Sequence, residues 1–217
     1  MDLKLVIFDM DGLVVDSEKI YFEANQRAAR KLGMTYSMDY YRRFIGAGND
    51  KMFAEMSKDY DSEDLISKFF ELSKKQVFKV IEDNGLPLKK GFIELAKYLQ
   101  ESKVPSILAS SNDRDAINFF LETAKIGKYF SEIVSANDVE KAKPEPDIFE
   151  RAWQISGENN KEEALVLEDS YNGIYAANNA NIPVIMIPDL VQPNKEIEEK
   201  TQAVFENLYQ VKNFLQK

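Results

Sequence analysis

Cysteine and histidine are both absent from the 217 residues. The first absence excludes disulfides and thiolate metal sites; the second excludes imidazole catalysis and most zinc chemistry. Positive charge is also in short supply. Lys and Arg number 28 against 37 Asp and Glu, a formal charge of -9 that repels phosphate backbones, so nucleic acid is not an expected partner. Long apolar runs are missing too. Stretches such as Leu5–Phe8 and Val184–Ile187 fall far short of the ~20 residues that cross a bilayer, and Asp2, Lys4 and Asp9 interrupt any signal-peptide-like run. The expectation is a protein of the cytoplasm with no membrane partner. What remains for chemistry is carboxylates, hydroxyls, lysines, arginines, backbone amides and a hard metal ion.

What is there is an ordinary globular composition, 44% apolar and 30% charged. The length allows one large domain or a core with an inserted unit. Short, nearly continuous apolar runs recur at Leu5–Phe8, Ser106–Ala109, Ile133-Val134, Ala164–Leu167 and Val184–Ile187. Their lack of polar alternation predicts strands of a parallel sheet covered on both faces. Between them, Phe92, Leu95, Ala96, Leu99 and Ala116, Ile117, Phe120, Leu121, Ala124 carry helical spacing. The fold class is therefore α/β, a doubly wound parallel sheet of Rossmann-like type. A last helix is expected to carry Val204, Leu208, Val211 and Leu215 on one face.

More than ninety residues separate the first strand from the second, too many for one crossover. Ile20, Ala24, Ala28 and Leu32, then Ile66, Phe70, Val77 and Ile81, mark helices within that gap, and Val14–Ser17 and Asn84-Gly85-Leu86-Pro87 are the expected hinges. The division expected is a core of residues 1–15 and 88–217 and a helical insertion of residues 16–87.

In an open parallel sheet, ligands bind beyond the carboxyl ends of the strands. Chemistry-bearing residues stand at four such ends: Asp9 and Asp11, then Ser110, Ser111 and Asn112 as expected substrate contacts, then Lys143, then Glu168 and Asp169. Singly, each has a plain structural role as a turn former, helix cap or solvated lysine. Together they suit phosphoryl transfer at a magnesium ion. Carboxylates offer the hard oxygen ligands that Mg²⁺ prefers, while a hydroxyl, amides and a lysine supply donors to phosphoryl oxygens. One carboxylate can attack phosphorus while its neighbour handles the leaving-group proton.

Asp9-x-Asp11-Gly12, Ser110, Lys143-Pro144 and Glu168-Asp169 resemble, in order and spacing, the four motifs of the haloacid dehalogenase superfamily. Lys143-Pro144-Glu145-Pro146-Asp147 and Leu167-Glu168-Asp169-Ser170-x-x-Gly173 are similar to its subgroup of β-phosphoglucomutases and small sugar-phosphate phosphatases. The resemblance implies Asp9 as nucleophile and Asp11 as general acid and base. It implies Ser110 and Lys143 on the phosphoryl group, with Mg²⁺ held by Asp9, Asp169, the Asp11 carbonyl and, assisting, Glu168. The inserted helices match the cap domain of that branch, which closes over the site and reads the leaving group. Candidate cap contacts are Tyr21, Asn49, Lys51 and one of Lys74 and Lys75, with Lys75 preferred.

Tyr21 stands where the mutases of that branch carry a histidine, and Asn49, after Ile45-Gly46, stands where they carry an arginine. The leading expectation is thus a magnesium-dependent phosphatase acting, as a monomer, on a small phosphorylated metabolite such as a sugar phosphate. A phosphohexomutase is the alternative. A receiver-like signalling module or a silent phosphometabolite sensor is more remote.

Overall fold

The computed structural model describes residues 2–44 and 49–217. The chain forms two compact units, one of Met1–Asp16 with Pro87–Lys217 and the other of Ser17–Leu86. In chain order, β1 (Leu5–Phe8) precedes the helices of the second unit, α1 (Glu18–Lys31), α2 (Met38–Arg42), α3 (Asn49–Asp59) and α4 (Glu63–Asn84). The first unit then resumes with α5 (Phe92–Glu101), β2 (Ser106–Ala109), α6 (Arg114–Ala124), β3 (Glu132–Val134) and α7 (Asp147–Ser156). It ends with β4 (Ala164–Glu168), α8 (Tyr171–Asn179), β5 (Val184–Met186), α9 (Lys195–Glu199), β6 (Ala203–Val204) and α10 (Leu208–Leu215).

All strand pairings are parallel and the order is β3-β2-β1-β4-β5-β6. This is the doubly wound arrangement, whose winding direction reverses between β1 and β4. A strand in such a sheet is covered on both faces and so needs an apolar residue at every position. β1 has one at each, and all of its side chains are fully buried. Leu5 and Ile7 share a core with Ile107, Val166, Phe149 of α7 and Ile174 of α8. On the alternate positions, Phe8 meets Phe92 of α5 edge-on at 6.0 Å and Phe130 at 5.8 Å.

The C-terminal end departs from the sequence expectation. Val204 is not on the last helix but in β6, beside Met186 of β5. α10 starts only at Leu208, where the Asn207 side chain accepts the Gln210 amide and caps it. A two-residue strand is too short to show a period of its own, and a valine four residues before a helical leucine mimics one more turn. At three other strand ends the ladder also differs by one position: β3 begins at Glu132, Glu168 belongs to β4, and Ile187 lies beyond β5.

In the helical unit, α1 and α4 bury Ile20, Ala24, Ala28, Ile66, Phe69, Val77 and Ile81, and of these Ala28, Ile66 and Phe69 share an apolar cluster with Met34, Tyr36, Tyr41 and Met56. One polar chain crosses it. Asn25 donates to the Tyr36 hydroxyl at 3.1 Å and accepts from the Ser73 hydroxyl, which satisfies its buried amide. Ser62 caps α4 by accepting the Leu65 amide at 3.2 Å, and Gly85, at φ 78°, ends the helix where Asn-Gly marks a stop. Among the described residues, no helix is long and apolar enough to cross a membrane.

Candidate active site

The site lies past the carboxyl ends of β1, β2 and β4. The Asp9 amide donates to the Leu167 carbonyl at 3.0 Å, which ties the first acid to the neighbouring strand. Residues 10–15 then fold back in a tight loop, with the Val14 and Val15 amides on the Met10 carbonyl and the Gly12 amide on Val15. Gly12 takes φ +75°, and a Cβ there would stand 2.2 Å from Oδ2 of Asp169. Glycine is therefore required twice over, by backbone angle and by the close approach of a carboxylate.

Lys143 is the hub. Its ammonium donates to Asp9 Oδ1 at 2.5 Å and to Glu168 Oε1 at 2.7 Å, and it lies 4.7 Å from the centroid of the buried Phe149 ring. Only 7% of the lysine side chain is exposed, which removes the surface-lysine reading. Burial works against its charge, but Asp9 and Glu168 outweigh burial and hold its pKa above the ordinary lysine value.

Glu168 is equally constrained. Its Oε2 accepts the amides of Asp169 and Ser170 at 2.8 and 2.7 Å and the Ser170 hydroxyl at 2.9 Å, at the start of α8. With Lys143 on its other oxygen, both of its oxygens are already engaged. The carboxylate also packs against Gly173, where an added Cβ would stand 1.7 Å from Oε1. Gly173→Ala should therefore destabilise the protein. The helix-propensity gain of about 1 kcal/mol is outweighed by overpacking against a side chain that cannot turn away, at about 1–3 kcal/mol. Denaturant unfolding would check the sign.

Asp9, Glu168 and Asp169 each offer a carboxylate oxygen within 4.8 Å of the others. Burial pushes the Asp9 carboxyl up to about 7, with the Glu168 and Asp11 charges adding to the rise and Lys143 opposing it. Burial, followed by the charges of Glu168, Asp9 and Asp189, raises Asp169 well above the carboxylate range. Crowded, dry carboxylates with hard oxygen donors fit a divalent cation such as Mg²⁺, whose charge would offset their mutual repulsion.

A stability prediction follows with a definite sign. Between 3.8 and about 7 the folded chain keeps an Asp9 proton that the unfolded chain has released, so raising pH through that window removes stability. Without a divalent cation, Tm should fall across the window; saturating Mg²⁺ should flatten the decline, because binding to the folded state replaces the proton. An unchanged slope in Mg²⁺ would contradict the fit.

The other expected core residues gather at the same place. Ser110 is fully buried at the end of β2; its amide donates to Val134 at 3.0 Å and its Oγ accepts the Asn112 amide at 3.2 Å. Asn112 donates its side-chain amide to Asp11 Oδ2 at 2.6 Å, so the second acid is held by the residue expected on substrate. The helix cap is neither of these but Asp113, which accepts the Ala116 amide at 2.9 Å. Ser111 is exposed. The Asp11 carboxylate is not one of the clustered trio.

Tyr21, Asn49, Lys51 and Lys75 belong to the helical unit and are not among the residues that the α/β unit brings together. There, Tyr21 is half-buried against the apolar cluster, while Asn49, Lys51 and Lys75 are exposed on α3 and α4. The Ile45-Gly46 segment lies outside the described residues.

Two residues were missed from sequence. Asp189, just past β5, accepts from Lys89 at 2.6 Å, and its Oδ2 would stand 3.2 Å from a Cβ on Gly12. The available signal was position: β5 is a fifth strand end, and it too is followed by an acid.

The chain is similar in sequence and fold to several proteins. A probable pseudouridine-5'-phosphatase of Drosophila melanogaster is 31% identical over 206 residues, covering 91% of this chain and 87% of the relative. A phosphorylated carbohydrates phosphatase of Thermotoga maritima is 30% identical over 188 residues, 83% and 82% of the two chains. The crystal structure of a putative beta-phosphoglucomutase from Thermotoga maritima superposes with a TM-score of 0.82 at 26% identity, covering 99% of each chain. The family pattern of the haloacid dehalogenase-like hydrolases matches residues 6–187, from within β1 to just past β5, and with that span and these relatives the chain belongs to that family of hydrolases.

Proposed function

We propose that the protein hydrolyses the phosphate monoester of a small phosphorylated metabolite, a sugar phosphate or close relative, through a phosphorylated Asp9. The observation that carries this reading is the single buried ammonium of Lys143 bridging Asp9 and Glu168 beside Asp169, where the sheet reverses its winding. Such an arrangement keeps one carboxylate close to positive charge and out of water, ready for an incoming phosphoryl group. The phosphatase names of the Drosophila and Thermotoga relatives support the substrate class.

In this reading Ser110, the backbone amides after it and Lys143 hold the phosphoryl oxygens, supplying donors where negative charge accumulates. A carboxylate oxygen of Asp9 attacks phosphorus. The bond to the ester oxygen breaks, and the departing alkoxide takes the proton carried by Asp11. Water then attacks phosphorus, Asp11 takes its proton, and the bond to Asp9 breaks to release inorganic phosphate and restore the carboxylate. Asn112 holds Asp11 between the two transfers. Asp9, Asp169 and the Asp11 carbonyl would hold Mg²⁺, which would supply positive charge against the phosphoryl oxygens. Residues 16–87 serve as the cap, with Tyr21, Asn49 and Lys75 as its candidates for reading the leaving group.

Hexose-phosphate isomerisation is the second reading, supported by the likeness to the putative beta-phosphoglucomutase. Against it, the chain has no histidine, and Asn49 stands where an arginine would clamp a second phosphate. That loses one charge-assisted anchor of about 1.5–3 kcal/mol.

Both readings are tested by giving the purified protein Mg²⁺ and a panel of phosphorylated sugars, polyols and nucleotides. The panel includes β-glucose 1-phosphate with catalytic glucose 1,6-bisphosphate. Free phosphate appearing ahead of any isomer, and only with the cation, is the expected result. Isomer ahead of phosphate would reverse the assignment.

A further inference from the structure

Asp189, past the end of β5, is an acid to which the phosphoryl-transfer reading gives no task. It follows β5 on the loop Ile187-Pro188-Asp189, and its side chain is only 12% exposed. Its two oxygens differ. Oδ1 accepts from the Lys89 ammonium at 2.6 Å. Oδ2 is buried and finds no hydrogen-bond donor among the described residues. That oxygen points at the Gly12 loop, 3.2 Å from where a Cβ on Gly12 would stand, and Oδ2 of Asp169 lies 2.2 Å from the same point. A glycine alone separates the two carboxylates.

Lys89 is fixed in its turn. Its amide donates to the Val14 carbonyl at 2.9 Å, and its side chain is 19% exposed. It therefore aims Asp189 from a segment bridged to Val15 through the neighbouring Leu88.

Asp189 stands outside the trio whose oxygens converge within 4.8 Å, so it is not placed as a direct ligand of a cation held there. A small dication dehydrates reluctantly and keeps several waters, and each water needs acceptors for its protons. Groups that accept from such waters or orient ligands set affinity nearly as strongly as the ligands themselves.

We infer that Asp189 is a positioning residue for the divalent cation, with Oδ2 accepting from a water that the cation carries beside Asp169 and Lys89 locking Oδ1 so that Oδ2 keeps its aim. The inference rests on the metal part of the proposed function and on no step of the phosphoryl chemistry. It assigns a pair 100 residues apart in sequence to one task.

The test is calorimetric titration of Mg²⁺ into the full chain without substrate, for wild type, Asp189→Ala, Asp189→Asn and Lys89→Met. Thermal unfolding in chelator checks that each variant folds. Asp189→Ala should weaken Mg²⁺ binding about ten- to a hundredfold. Asp189→Asn, which has one acceptor oxygen where both are used, should fall between wild type and Asp189→Ala. Lys89→Met should weaken binding and add nothing in the Asp189→Ala background, because the two side chains act as one unit. Should Asp189→Ala fail to fold, Lys89→Met decides alone by the same loss.

Unchanged Mg²⁺ affinity in Asp189→Ala and Lys89→Met overturns the inference and leaves the phosphatase reading standing. Wild-type Mg²⁺ affinity in Asp189→Asn also overturns it, since acceptance at both oxygens would then not be needed. A wild type that binds no Mg²⁺ refutes both. Failure to release phosphate from any monoester, with the Mg²⁺ losses as expected, refutes only the phosphatase reading.

Discussion

Asp9→Asn should lose at least about a thousandfold in turnover, the scale seen when a nucleophile is removed. An amide oxygen is a poor nucleophile toward phosphorus and a weaker ligand for a hard cation, so chemistry and metal affinity fall together. Stability should move the other way. Asp9 is buried, and its charged form is disfavoured at its site, with the carboxyl pushed up to about 7. A neutral amide avoids that penalty, so Tm without Mg²⁺ should hold or rise while steady-state phosphate release collapses. Near-normal turnover in Asp9→Asn would remove it from the nucleophile's role.

Lys143→Met should be the most destabilising change in the site. It deletes the one ammonium that Asp9 and Glu168 share, both nearly or wholly buried at 9% and 1% side-chain exposure. Breaking a buried ion pair by removing one partner costs about 3–5 kcal/mol, because the charge left behind has neither water nor counterion. Against a typical total of about 5–15 kcal/mol, that is a large share. The loss should shrink at low pH, where the stranded carboxylates take protons, and in high Mg²⁺, which offers them a substitute charge. Activity should also fall, by about a hundred- to a thousandfold, since a donor to the phosphoryl oxygens is gone. Urea unfolding at two pH values, with and without Mg²⁺, would check it; a loss independent of both would mean that Lys143 acts only as a packing element.

The parts of this protein that show in its sequence are those whose physics is local. Leu5–Phe8 declares a doubly covered strand because every position is apolar, and Asp9-Met10-Asp11-Gly12 directly after it declares a site because strand ends converge in this topology. Ser110, Lys143 and Asp169 become legible through their order along such ends. What stayed hidden depends on contacts between distant positions. Nothing in the local sequence marks Lys89 as the partner of Asp189, and a single acid after Pro188 looks like any turn. The saturation of Glu168 by Lys143 and the first amides of α8 is likewise a tertiary fact, as is the hold of Asn112 on Asp11. Val204 misled for the opposite reason: its local spacing to Leu208 fits a helix, but pairing with Met186 makes it a strand.

The central claim, that Asp9 carries the phosphoryl group between substrate and water, is tested most directly by the stereochemistry at phosphorus. The substrate would be its best phosphate ester, made chiral at phosphorus by oxygen isotopes and thio substitution and hydrolysed in labelled water. Each in-line displacement inverts the configuration. Transfer to Asp9 followed by transfer to water therefore gives retention, which is the expected result. Inversion would mean that water attacks the ester in one step, and Asp9 would not be the nucleophile.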